Sequence, residues 1–220
     1  MYGLVFDIAH MLAGGMVVVS FLLLYQDRLY ALLNTYALHA LLLALVVSWQ
    51  AYSHDAPHLY VTAGIALIFK AIIIPVVLHR IIQRLGIQRT IEQVLGVGLN
   101  MLVGVLLVAL AIIVMLPVTA ASEALVREDL IFALSIVLLG LLMMITRRNA
   151  VSQVVGFMSM ENGLVLAAVG ASGMPLVVEI SIAFSVLIAL IVIGIFLFRI
   201  RERFDTVDVQ AMDAFRGERP

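Results

Sequence analysis

Apolar residues run through this chain in long stretches, and polar residues gather in short clusters between them. From Leu4 to Leu24 the ionisable groups are Asp7 and His10 alone. Seven such stretches recur, at roughly 4–24, 30–52, 59–79, 91–117, 125–146, 150–171 and 175–198. A bilayer core about 30 Å thick takes roughly 20 apolar residues in a helix. Each stretch is therefore predicted to be one membrane-spanning helix. The interruptions mark the cuts: Gln26-Asp27-Arg28, Ser53 to His58, the basic segment Arg80 to Arg89, Pro117 with Ser122-Glu123, and Arg147-Arg148-Asn149. Gly170 to Pro175 reads as a tight turn, with Pro175 placed to start a helix. The fold class is an all-α integral membrane protein with seven transmembrane helices.

Composition agrees and narrows the function classes. Of 220 residues, 64% are hydrophobic and 12% charged, against about 25% charged in ordinary soluble domains. Seven spans leave too little chain for a soluble domain, which excludes a conventional soluble enzyme, a nucleic-acid reader and a secreted scaffold. Cysteine is absent, so no disulfide, thiolate zinc site or cysteine-ligated iron–sulfur cluster can form. The first residues lack the positive region of a cleaved signal peptide, so the first run is expected to remain as a span. His10, His54 and His58 lie near one membrane face and mostly in loops, a poor arrangement for axial haem ligands. No metal or cofactor is expected, and neither a phosphate-binding glycine loop nor a catalytic triad is visible.

The placement of charge sets the direction. With seven spans, Arg28, Arg80, Arg84, Arg89, Arg147, Arg148 and five tail arginines fall on one side, eleven basic groups in all, while Arg127 stands alone on the other. Basic residues favour the cytoplasmic side. The N-terminus is therefore predicted outside and the C-terminus in the cytoplasm. The segment 199–220 reads as a cytoplasmic polar tail.

Polar residues at membrane depth carry the candidate chemistry, because an ionisable group there is costly and marks function by default. Glu161 lies near the middle of the sixth span, about 15 Å from either interface at 1.5 Å per residue, too far to snorkel. Lys70 is central in the third span, one turn before Pro75, which frees a carbonyl near Ala71. His39 is central in the second span and can take part in proton transfer. These three share a similar depth, which points to a polar layer at the midplane. Ser159 and Asn162 flank Glu161 and are read as supporting polar groups. Asn100, between Gly96 and Gly104, is read as an interhelical hydrogen-bonding residue. Glu179 falls about one turn into the seventh span, where a carboxylate also suits a helix N-terminus. Ser152, Gly156, Ser159, Gly163, Ala167 and Gly170 form one small-residue face for close helix packing. Glu161 points roughly 160° away from that face.

The last three spans resemble the small K-type subunit of respiratory complex I and its hydrogenase and antiporter relatives. The shared features are an apolar helix ending in Arg147-Arg148-Asn149, a helix with an embedded Glu, and a following helix with Glu179-Ile180-Ser181-Ile182-Ala183. Aligned from the Arg-Arg-Asn junction, the first family Glu falls at Met158. This chain has Glu161 instead, three residues and about 4.5 Å further in. With four preceding spans and Met158-Ser-Met-Glu-Asn-Gly163, the whole chain resembles the component E family of hydrogenase-4 and formate-hydrogenlyase complexes. The division then reads as a four-helix N-terminal membrane region over 1–124, a three-helix K-like unit over 125–198, and the tail over 199–220.

The resemblance implies a non-catalytic subunit of an oxidoreductase complex in a bacterial or archaeal cytoplasmic membrane. Its partners would be antiporter-like and complex-I-like membrane subunits and the hydrogenase peripheral arm, with lipid around it and no nucleic acid. Glu161 and Glu179 would carry an ion, H⁺ or Na⁺, with Lys70 and His39 modulating or extending the path. Two rival readings stand: a stand-alone secondary ion transporter, and a structural spacer between neighbouring subunits.

Overall fold

The computed structural model describes residues 2–85, 91, 94–120, 124–170 and 194. All regular structure among them is helical, in the order α1 (Tyr2–Tyr25), α2 (Leu29–Ser53), α3 (His58–Ile65), a π-helical stretch (Ala66–Ile73), α4 (Ile74–Leu85), α5 (Val97–Val118), α6 (Ala124–Thr146) and α7 (Ala150–Gly170). Six helical segments among the described residues are long and apolar enough to cross a membrane, and they coincide with the first six predicted spans. The seventh predicted span, 175–198, with Glu179, lies outside the described residues apart from position 194, and the tail lies outside them too.

Side chains are distributed as a bilayer demands. Ile113 is 68% exposed and Leu106 60% exposed, whereas Lys70 is 4% exposed and Asn162 fully buried. Lipid solvates the apolar exterior, while polar groups find partners only inside, since hydrocarbon offers no hydrogen bonds. α5 is the most lipid-like element: Asn100, Gly104 and Ala111 are its only buried residues among those described.

Packing centres on α6 and α7, which are in the most extensive contact, with α1 against α2 and α2 reaching both α7 and the π-helical stretch. Small residues set the α6–α7 approach. A Cβ on Gly140 would come within 2.7 Å of the Met160 backbone nitrogen, and one on Gly163 within 2.9 Å of the Ala133 carbonyl. Gly156 lies against the Gly140 carbonyl in the same seam. The predicted small-residue face is thus the face turned to α6, which leaves Glu161 free to point to another helix.

Two junctions depart from the sequence reading. The fourth span was predicted from residue 91, yet α5 starts at Val97, because Gly96 is extended (φ −61°, ψ 153°). The preceding chain is tied across other helix ends: Ile91 N–H donates to the Asp27 carbonyl at 2.7 Å, and Val94 N–H to the Thr146 carbonyl at 2.9 Å. Arg147, read above only as a topology signal, is a buried cap. Its Nη2 donates to the carbonyls of Leu23 (3.0 Å) and Leu24 (2.7 Å), in the last turn of α1. A cation there satisfies orphan carbonyls and faces the negative end of the helix dipole. Asn149 accepts from the Val151 N–H at 2.9 Å and so caps the start of α7. The Arg-Arg-Asn junction therefore locks α1, α6 and α7 together at one membrane face.

Candidate functional site

The site begins with an irregularity in the third span. Between Ala66 and Ile73 the helix widens, and the Ile74 N–H bonds to the Phe69 carbonyl five residues back. Pro75 follows at once. In a regular helix its ring clashes with the carbonyl four residues earlier, at Ala71; a wider turn relieves that clash. π-helical turns of this kind are frequent at functional sites. Here the widened turn carries Lys70 inward.

Lys70 meets α7. Its Nζ lies 2.9 Å from Glu161 Oε1, with the two side chains 5% and 7% exposed. It also donates to Asn162 Oδ1 at 3.0 Å. The Asn162 amide continues across to α2, where its Nδ2 lies 3.1 Å from His39 Nδ1. On the far side of the imidazole, His39 Nε2 lies 3.0 Å from Ser20 Oγ on α1. The Ser20 hydroxyl donates to the Met16 carbonyl at 2.9 Å. One polar line thus crosses the molecule, from Glu161 and Lys70 through Asn162 and His39 to Ser20.

Burial makes this line consequential. His39, Asn162 and Tyr36 are fully buried, and Ser20 is 2% exposed. An ion pair in such a place is strong only if both charges persist. Removing either partner leaves a charge in a medium that cannot solvate it. The Lys70 contact is short, and Lys70 is the one described residue paired with the Glu161 carboxylate. The Tyr36 hydroxyl, one turn from His39 on α2, lies against Asn162 and Glu161. Buried polar atoms of this kind require an account. Protonation change and internal water are the chemical options for a carboxylate and a phenol side by side.

Of the residues singled out in the sequence, His39, Lys70, Glu161 and Asn162 come together here. Met158, the position where the K-type pattern has its first Glu, is in the apolar core instead. The shift of one turn puts the carboxylate level with Lys70. Ser159 is buried on α7. Asn100 lies apart, at the head of α5, where its Nδ2 donates to the Leu95 carbonyl at 3.4 Å. Glu179 lies outside the described residues. Tyr36 and Ser20 were not singled out. For Tyr36 the signal was present: it precedes His39 by three residues, and such pairs share a helix face. For Ser20 there was none, because a serine in an apolar helix usually bonds its own backbone.

A second polar group lies toward the end of the molecule that holds the α2–α3 turn. Gln50 Nε2 donates to Asp129 Oδ2 at 2.7 Å, and His10 Nδ1 lies 2.6 Å from Glu128 Oε2. Asp129 is 2% exposed, and Gly170 leaves room for it. Asp129 also escaped the sequence reading, since it falls in the first turns of its helix. Among the described residues no group of three or more His, Asp or Glu is placed to hold a metal ion.

Comparison with known proteins gives this geometry a context. Hydrogenase-4 component E of Escherichia coli K12 is 28% identical over 212 residues, spanning 96% of this chain and 98% of the relative. The chain is a homologue of hydrogenase-4 component E. The Shigella flexneri hydrogenase-4 component E matches to the same extent. An uncharacterised protein of Mycobacterium tuberculosis is 28% identical over 207 residues, 93% of this chain and 94% of that protein. No family profile matches the chain, and no solved structure is similar to it. The component E likeness runs through both halves of the polar line, since it spans α1 and α2 as well as α7.

Proposed function

We propose that this chain is a membrane subunit of a complex-I-like nickel–iron hydrogenase of the formate-hydrogenlyase type. It contributes buried ionisable residues to ion translocation, while redox chemistry takes place on other subunits. The membrane-subunit part rests on the likeness to hydrogenase-4 component E and on the six apolar helices. The relay part rests on one observation: Lys70 and Glu161 pair at 2.9 Å in the middle of the protein, with both side chains almost fully buried.

Such a pair responds to its surroundings. Its charged form is balanced against desolvation, so a charge arriving beside it on a neighbouring subunit changes which partner holds the proton. Glu161 and Lys70 exchange a proton or hold charge in turn. His39 and Asn162 carry the response to α1 and α2. Glu179 belongs to the same path, on the seventh span, with the N-terminus outside and the C-terminus in the cytoplasm. The ion is H⁺ or Na⁺. Residues 1–124 act as the four-helix partner of a K-like unit over 125–198. The neighbours are antiporter-like and complex-I-like membrane subunits and the peripheral arm of the hydrogenase, in a bacterial or archaeal cytoplasmic membrane.

Affinity purification of the tagged chain in mild detergent tests the assignment. Nickel–iron and antiporter-like subunits are expected to copurify. A chain that emerges alone and transports ions alone in vesicles contradicts it and supports the secondary-transporter reading.

A further inference from the structure

Asn162 stands between the two basic groups of the site, and its orientation is fixed by chemistry. A lysine ammonium has three donors and no acceptor. The amide atom 3.0 Å from Lys70 Nζ is therefore the oxygen, and the NH₂ group is turned to His39 Nδ1, 3.1 Å away. That nitrogen must then accept. The imidazole is left neutral with its proton on Nε2, which donates to Ser20 Oγ at 3.0 Å; the serine proton in turn goes to the Met16 carbonyl at 2.9 Å. Every donor along the line points the same way, from Lys70 toward α1.

We propose that Asn162 is a positioning residue that allows only one of Lys70 and His39 to be positively charged at a time. An imidazolium has two N–H donors. If His39 gained a proton on Nδ1, two donors would face each other across 3.1 Å in a fully buried site. The amide must turn over to present Oδ1 to His39. Its NH₂ then faces Lys70, which can accept only as a neutral amine. The proton that Lys70 gives up has an acceptor at hand in Glu161 Oε1, 2.9 Å away: an N–H bond breaks, an O–H bond forms, and amine and carboxylic acid are left neutral. The proton released by Lys70 stays on Glu161 and does not cross to His39, because a carboxamide does not readily hand on a proton; the second proton that makes an imidazolium is a separate one, taken from water that reaches the His39 side of the amide. Charge on one basic group thus excludes charge on the other by orientation. Among the described residues, the other groups facing this pair are Ser20 from α1, Tyr36 from α2 and Glu161 from α7.

The use of this device in translocation rests on the relay reading above; the histidine tautomer does not, so the two can fail separately. Nitrogen NMR of the purified full chain, carrying ¹⁵N-labelled histidine, reads the ring directly, and His39→Gln assigns the signal among the five histidines. The wild-type chain is expected to show a bare Nδ1 and a protonated Nε2 at neutral pH. Asn162→Asp replaces the amide with a group that accepts on both sides, and is expected to shift Nδ1 to the protonated position. Asn162→Leu, with no donor for Nδ1, is expected to lose the single-tautomer signal. A wild-type ring protonated on Nδ1, or an Nδ1 signal unmoved by Asn162→Asp, overturns the proposal. The wild-type measurement stands even if a variant fails to fold. If the tautomer is as expected but Glu161→Gln leaves ion coupling intact, the relay reading fails and the orientation device remains.

Discussion

Lys70 Nζ sits 2.9 Å from Glu161 Oε1, and this contact joins a π-helical turn of the third span to the centre of α7. Both residues arise in otherwise apolar runs. The contact binds the N-terminal helices to α7, so its loss has separable structural and functional effects.

Stability should show the asymmetry of a buried ion pair. Breaking it from one side costs about 3–5 kcal/mol, because an uncompensated charge remains. Replacing both partners with apolar groups of similar volume removes that penalty. Lys70→Met alone is expected to lower the thermal midpoint in detergent markedly, and Lys70→Met combined with Glu161→Leu to recover most of the loss. Equal destabilisation by the single and double variants would show that the pair is solvated.

The α6–α7 seam is the second test. Gly140→Ala places a methyl group within 2.7 Å of the Met160 backbone nitrogen, which cannot move aside. Overpacking of this kind costs about 1–3 kcal/mol. Gly64→Ala meets nothing within 4 Å, and should be neutral or slightly stabilising, as alanine favours helix. Thermal melting of the two variants side by side checks the difference.

Arg147 should resist conservative replacement. Its guanidinium donates to two carbonyls at the end of α1, and hydrogen bonds to charged groups contribute about 1.5–3 kcal/mol each. Lysine places a compact, more strongly hydrated ammonium on a shorter side chain, which is costlier to bury against the two carbonyls. Arg147→Lys is expected to lose a large part of the stability lost in Arg147→Met, read by denaturation in detergent. Full retention in the lysine variant would show that charge alone matters.

Orientation can be read with single cysteines, since the chain has none of its own. Asp27 and His58 are both exposed and lie at opposite ends of α2. In intact cells a membrane-impermeant maleimide is expected to label His58→Cys, and to label Asp27→Cys only after lysis. The reverse pattern would invert the proposed topology.

The first six spans were legible because length and apolarity are local properties of the chain. Lys70, Glu161 and His39 were legible because a polar group in an apolar run stands out. What joined them was not. Asn162 appeared only as a support for Glu161, yet it faces Lys70 on one side and His39 on the other. That role depends on which helices adjoin, and the sequence of one helix does not name its neighbours. The π-helical turn was foreshadowed by Pro75 but not its register. Arg147 was counted for topology, whereas its reach across to α1 is a tertiary fact. Ser20 and Asp129 carried no local mark at all.

The most direct test of the relay is ion movement per turnover in vesicles holding the assembled complex with Glu161→Gln. Glutamine keeps the size of the side chain and removes its proton chemistry. The account predicts that the variant assembles, and that ion translocation coupled to hydrogenase turnover falls severalfold or is lost. An unchanged ratio of ions moved to hydrogen turned over, in Glu161→Gln and in Glu179→Gln alike, would contradict it and leave the chain a structural spacer.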